Sequence, residues 1–305
     1  VERPIFIAGL PRTGTTALLH LLNQDPSNHT LRLWEGRHPL PPPEEATYNS
    51  DPRIDIIKQE VELTEEFMPG FSKAHLMEAD EPDECYLLFN RNFVSVEYLA
   101  LFHLPSYAKW LYTQDHTKAY AYHKLQLQIL QSKKAGQWVL KSPFHQVGLK
   151  AILENYPDAT IVQTHRPPVS IVGSGCSFSE LLRKQCTTDL DLNIIGKDWM
   201  EMLSAYLDRF EVERNELEPQ HPNQFVDIDY KDFISDPLTS IRSIYSSAGK
   251  ELSDEAQAEM TQWLDSNPQG KHGKHVYSLE NYGISKADVE NLFADYVERY
   301  QLTME

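Results

Sequence analysis

The sequence predicts an α/β fold, a mostly parallel β-sheet flanked by helices. Short continuous apolar runs recur at Pro4–Ala8, Trp138–Leu140, Ala159–Val162 and Phe225–Ile228. Runs of this length without alternation mark strands buried on both faces of a parallel sheet. Helically spaced segments separate them, and strands alternating with helices give a parallel α/β sheet with its site at the carboxyl ends of the strands. Residues 40–135 carry little strand signal and read as a helical insertion on the acceptor side of that site. No repeat or low-complexity linker divides the chain, so residues 1–305 read as one domain.

The elements follow in order. Pro4–Ala8 leads through Gly9-Leu10-Pro11-Arg12-Thr13-Gly14 into a helix from Thr15 to Leu22 that stops before Pro26, the opening half of a βαβ unit. A short strand-like stretch then runs to Leu33-Trp34-Glu35, and Pro39–Pro43 is a stiff extended piece. Glu84–Leu104 and Ala119–Gln131 look helical and hold Tyr86, Phe89, Phe93, Tyr98, Phe102, Tyr120 and Tyr122. Val147–Tyr156 is a short helix closed by Pro157, and Val169–Ser174 begins another. Trp199, Met202, Leu203, Tyr206, Leu207 and Phe210 keep helical spacing, as do Val289, Leu292, Phe293, Tyr296 and Val297.

Composition bounds the function. Lys and Arg total 28 against 45 Asp and Glu, a net charge of −17. Such a surface repels nucleic acid and other polyanions, yet leaves room for one anionic small ligand held by a few local cations. Five Trp, 15 Tyr and 12 Phe supply a large core and exclude a disordered chain. Cys85, Cys176 and Cys186 form an odd, sparse set without metal-ligand spacing, so no metal is expected and a reducing, cytoplasmic setting is. No apolar run reaches the ~18 residues of a membrane span. The chain starts at Val1 directly before its first strand, without a leader, which hints at missing N-terminal sequence.

The segment from Gly9 to Thr16 fits the first part of a phosphate-loop pattern, GxxxxG. It then departs from it, because Thr15 stands where the lysine would be. The anion cradle survives in the backbone N–H groups, the helix N-terminus and the Thr15 and Thr16 hydroxyls. Arg12 supplies the positive charge. A loop that keeps the cradle but drops the lysine suits a nucleotide with a different leaving group. A plain strand-to-helix turn is the competing reading.

Pro11-Arg12-Thr13-Gly14-Thr15-Thr16 resembles the loop with which the sulfotransferase family holds the 5′-phosphosulfate of 3′-phosphoadenosine 5′-phosphosulfate (PAPS). A second family element is an Arg near a strand end with a Ser eight positions on, and Arg166 and Ser174 stand at that spacing. The likeness runs from residue 4 to about residue 280, nearest to bacterial members and the tyrosylprotein branch. It implies a P-loop-type sheet, PAPS as co-substrate, adenosine 3′,5′-bisphosphate as product, and Arg166 with Ser174 on the 3′-phosphate. The residues support that pair independently: β-strand Asp158–Thr164 delivers Arg166 to the carboxyl edge, and a turn or two of helix puts Ser174 beside it.

Transfer of a sulfonate needs a base for the acceptor hydroxyl and cations for the developing charge. The resemblance implies Glu35 as base and Lys141, at a strand end, as a cation on the group in flight, with Arg12 beside it. His145 is the rival base. It stands four residues after Lys141, where the cytosolic branch has a histidine two residues on. Tyr230 matches a family tyrosine near the nucleotide, and Lys271, Gly273 and Lys274 match loosely a C-terminal loop over the 3′-phosphate. Each has a plainer reading: a paired surface Glu, a lysine after a strand, a structural histidine, a packed aromatic, a solvated loop.

The expected acceptor is a small or medium, largely apolar molecule bearing a hydroxyl, because the acidic chain repels glycosaminoglycans and acidic peptides while the insertion is rich in aromatics. Two other functions compete. A small-molecule kinase needs a metal-binding Asp after a strand, for which Asp227 and Asp229 are the only candidates. A non-catalytic nucleotide-binding module needs neither Glu35 nor Lys141.

Overall fold

The computed structural model describes residues 1–69, 71, 77–268 and 278–303. Five parallel strands, β1 (Ile5–Ile7), β2 (Asn28–Thr30), β3 (Gln137–Lys141), β4 (Thr160–His165) and β5 (Phe225–Asp229), lie in the order β2-β3-β1-β4-β5. Four of them coincide with the apolar runs. The fifth, β2, is Asn-His-Thr and carries no apolar signal, yet all three residues are buried.

Side-chain hydrogen bonds make that burial tolerable. Asn28 Nδ2 donates to Leu22 O at 2.7 Å, and Thr30 Oγ1 to Asn23 Oδ1 at 2.6 Å. His29 pairs with Glu35 at 3.1 Å. Buried polar groups with partners avoid the desolvation cost of unpaired ones.

The central strand alternates as its pleat requires. Ile5 and Ile7 face a cluster with Leu18, Leu22, Ile241, Ile244 and Met260, whereas Phe6 faces a larger one with Trp138, Leu140, Tyr120, Tyr156 and Phe210. Register aligns Ile7 with Lys141 on one side and with Val162 on the other. The loop after β1, the end of β3 and the end of β4 therefore emerge together at the point where strand order reverses, where ligands of such sheets bind.

Among the described residues of 40–135 there is no strand, and the helices Pro52–Phe67, Pro105–Thr113 and Thr117–Leu130 dominate. The helix expected over Glu84–Leu104 is broken into Tyr86–Phe89 and Glu97–Leu101, because Phe93 takes a left-handed backbone with φ 57°. Pro39–Pro43 forms no regular element. Helices Pro168–Arg183 and Leu192–Leu217 pack beside the insertion, and no described helix is long and apolar enough to cross a membrane.

Candidate active site

Two glycines set the loop after β1. A Cβ on Gly9 would fall 1.9 Å from Thr164 Oγ1. Gly14, at φ 86°, caps helix Thr15–Leu22 without a side-chain hydrogen bond and lies so near Tyr230 that a Cβ would meet its ring at 3.0 Å. The first-turn N–H groups of that helix have no intrahelical acceptors, which makes the end a place for an anion. Thr13 points inward instead: its hydroxyl donates to Leu10 O at 2.6 Å, so at 2.5 Å from Thr164 Oγ1 it must accept.

Residues far apart in sequence converge on this loop. Arg12 Nε donates to Ser174 Oγ at 2.8 Å, and Arg166 Nη1 to Arg12 O at 2.8 Å. The Arg166 guanidinium stacks 4.4 Å above the Tyr230 ring. β4 leads to Arg166, helix Pro168–Arg183 delivers Ser174, and Tyr230 opens the helix that follows β5.

Beside the loop, Lys141 ends β3 and is 4% exposed. Its Nζ donates to Thr16 Oγ1 at 3.1 Å and forms an ion pair with Glu84. Backbone bonds bring Glu84 there: Asp83 N donates to Leu31 O at 2.7 Å and Cys85 N to Lys141 O at 2.9 Å. Sequence reasoning missed Glu84, whose one signal is its place in the acidic run Glu81-Pro82-Asp83-Glu84.

A cavity of about 230 Å³ opens from this group. Pro11, Arg12, Thr15, Thr16, Lys141 and Glu84 form its polar end. Its body is mostly apolar, built by Leu99 and Leu104 of the insertion together with Phe178 and Leu182 of helix Pro168–Arg183 and Trp199 and Met202 of helix Leu192–Leu217. The insertion thus supplies one wall. Of the insertion aromatics named above, Tyr86 lines the cavity, whereas Phe89 and Tyr120 are core beneath it. One ion pair sits in the far wall, Arg183 Nη1 to Asp198 Oδ2 at 2.7 Å.

The structure does not bring Glu35 or His145 to the cavity wall. Glu35 is fully buried behind β2, where it accepts from Arg32 N and Tyr48 Oη, each at 3.0 Å, and meets His29 Nε2 at 3.1 Å. Both carboxylate oxygens are committed, Oε2 to the helix N-terminus and Tyr48, and Oε1 to His29. His145 is fully buried against Phe6, and its Nδ1 lies 2.7 Å from Tyr120 Oη. Burial and the neighbouring His123 hold its pKa well below that of a free histidine. Lys271, Gly273 and Lys274 lie outside the described residues.

Asp227 is engaged elsewhere. Arg214 grips both its oxygens at 2.7 Å and His165 Nε2 adds a third contact at 2.8 Å. The net effect holds its carboxyl below the usual range, against a desolvation that works the other way. Asp229 accepts from Lys231 N at 2.7 Å and caps the next helix. Neither is placed as a metal ligand for a kinase.

A parallel sheet with a glycine-set loop after its central strand and a lysine at the neighbouring strand end is an arrangement that suits an anionic group at the sheet's carboxyl edge. Residues 4–254 match the sulfotransferase family, and the chain belongs to it. The crystal structure of sulfotransferase STF1 from Mycobacterium tuberculosis H37Rv is similar with a TM-score of 0.85 and 38% identity, over 97% of this chain and 77% of that one. Sulfotransferase STF9 from Mycobacterium avium is similar with a TM-score of 0.88 and 31% identity, over 100% of this chain and 78% of that one. The omega-hydroxy-beta-dihydromenaquinone-9 sulfotransferase Stf3 of M. tuberculosis and of M. bovis is 24% identical over 167 residues, 53% of this chain. That match spans 40% of the length of those relatives.

Proposed function

We propose that the chain transfers the sulfonate group of PAPS to the hydroxyl of a small or medium, largely apolar acceptor. One observation carries the reading: Lys141, bonded to Thr16 of the phosphate loop and paired with Glu84, stands where the loop meets an apolar cavity.

The residues fit the nucleotide. Gly14 leaves the helix N-terminus uncapped, and the loop N–H groups with Thr15 and Thr16 would hold the phosphosulfate end. Arg166 and Ser174 would hold the 3′-phosphate, with Tyr230 beneath the guanidinium. PAPS supplies the sulfonate and an adenosine 3′,5′-bisphosphate leaving group. Transfer forms an acceptor O–S bond, breaks the S–O bond to the leaving phosphate, and releases the acceptor's hydroxyl proton.

Glu84 is the carboxylate on the cavity wall nearest to Lys141 and is assigned to take that proton. Arg12 and Lys141 meet charge that grows on the transferring group and the leaving phosphate. Glu35 and His145 are assigned positioning roles, the one fixing the helix after β2 and the other packing beneath the end of β3. The apolar walls exclude water and favour an apolar acceptor. The Stf3 relatives are named for a hydroxylated dihydromenaquinone, an acceptor of the same class. Unpaired Cys85, Cys176 and Cys186 suit a reducing, cytoplasmic setting.

Titration with three nucleotides tests the donor. Adenosine 3′,5′-bisphosphate should bind without added metal and much more tightly than 5′-AMP or Mg-ATP. Preference for Mg-ATP would replace the reading with phosphoryl transfer.

A further inference from the structure

On the outer face of the insertion, beside the cavity, four large apolar residues stand in water: Phe93 is 73% exposed, Phe102 43%, Trp110 41% and Leu104 38%. Ring contacts join Phe93 to Trp110, and Phe102 and Leu104 stand two residues apart just after helix Glu97–Leu101. Phe93 stacks on Tyr98 with centroids 6.2 Å apart, Tyr98 meets Tyr107 at 5.9 Å, and Tyr107 meets Trp110 at 5.4 Å. Leu104 belongs both to this surface and to the cavity lining, as do its neighbours Leu101, Pro105 and Ala108 to the lining. The patch is continuous with the rim of the cavity.

Phe93 is held in this position. Its φ of 57° and ψ of 28° are a left-handed conformation that bulky residues rarely adopt. The Tyr107 hydroxyl fixes it by donating to Phe93 O at 2.8 Å. A strained backbone that keeps a phenyl ring in solvent opposes both local sterics and burial, and such outliers cluster at functional surfaces.

Charge narrows the occupant. Residues 93–112 carry one acid, Glu97, one lysine, Lys109, and His103, which pairs with Asp198 at 3.0 Å, within a chain of net charge −17. Glu97 faces inward, bonded to Asn90 and lining the cavity. A neutral aromatic rim around an apolar cavity is the surface of a protein that rests on lipid, with Phe and Trp at the level of the headgroups.

We propose that the patch Phe93–Phe102–Leu104–Trp110 docks the cavity mouth onto a lipid bilayer of neutral headgroups. The inference rests on the apolar-acceptor reading. A membrane-dissolved alcohol would then enter the cavity along Leu101, Leu104 and Ala108 without crossing water. Anionic lipid is disfavoured by the net charge.

Sedimentation of the full chain with phosphatidylcholine vesicles tests this. The protein should pellet with them, and bind phosphatidylglycerol vesicles more weakly at low salt. The double variant Phe93→Asn, Phe102→Ser should bind phosphatidylcholine about tenfold less or weaker still. Asn suits the left-handed backbone, and neither position lines the cavity, so turnover of a short soluble alcohol should be unchanged. Unpelleted wild-type protein, or a variant that pellets as well, overturns the proposal. So does light scattering that shows a wild-type dimer and a monomeric variant, which would make the patch an interface between copies. Loss of turnover on all apolar alcohols by the wild type would instead overturn the acceptor reading alone.

Discussion

Arg12 Nε donates to Ser174 Oγ across 2.8 Å, joining the phosphate loop to helix Pro168–Arg183 over 162 residues of sequence. With Arg166 on Arg12 O, the loop is tied to both the end of β4 and the helix after it. A loop fixed in this way loses little freedom when it binds an anion.

Arg166→Ala should weaken adenosine 3′,5′-bisphosphate by about 1.5–3 kcal/mol, the loss of a charge-assisted partner. Binding of 5′-AMP, which lacks the 3′-phosphate, should fall much less. Isothermal titration of both nucleotides separates the roles: equal losses would mean that Arg166 only supports the loop through Arg12 O.

Lys141→Ala and Arg12→Ala should lower turnover far more than they weaken the product nucleotide, because cations that meet growing charge act mainly in the transition state. Turnover and product inhibition measured on the same variants provide the comparison. Matching losses would show both to be binding residues only.

Glu84→Gln should cut turnover by ~10²–10⁴-fold, the usual cost of removing a general base, and should also lower Tm because it leaves the buried Lys141 without its ion-pair partner. Glu35→Gln should lower Tm while the folded protein keeps most of its turnover, because it disturbs a fully buried carboxylate that accepts from Arg32 N and Tyr48 Oη away from the cavity. The reverse pattern, an inactive but stable Glu35→Gln beside an active Glu84→Gln, would return the base to Glu35.

Much of this arrangement is legible in the sequence. Four of the buried strands announce themselves as apolar runs, and the glycine pattern with Arg166 and Ser174 marks residues that the structure brings together at the sheet's carboxyl edge. β2 shows only as a short strand-like stretch before Leu33 and gives no apolar run, because Asn28, His29 and Thr30 are buried by hydrogen bonding rather than by hydrophobicity. Glu84 escapes notice because non-local backbone bonds to Leu31 and Lys141 place it. Trp199 and Met202 show helical spacing, but spacing alone does not tell a core face from a cavity wall. Glu35 and His145 sit near the site in sequence and behind it in space.

Acid should destabilise the fold before its carboxylates titrate. Burial lowers His116 to about 4 and His123 to about 3, from an ordinary 6.5. Below pH 6.5 the unfolded chain binds protons that the folded chain does not, so this stability is complete above 6.5 and is lost as pH falls. Each group contributes about 1.4 kcal/mol per pH unit inside its window. Tm should therefore drop between pH 7.5 and 5, and His123→Phe should flatten that slope even if it lowers Tm at pH 7.5. An unchanged slope would mean that His123 is protonated in the fold.

The most direct measurement is transfer of label from PAPS to a panel of phenols, sterols, fatty alcohols, acidic peptides and heparan fragments. Turnover of the apolar alcohols or phenols, abolished in Lys141→Ala, is the expected result. Turnover confined to the peptides or heparan fragments would contradict the acceptor assignment, and no transfer from PAPS to any hydroxyl would contradict the proposed reaction itself.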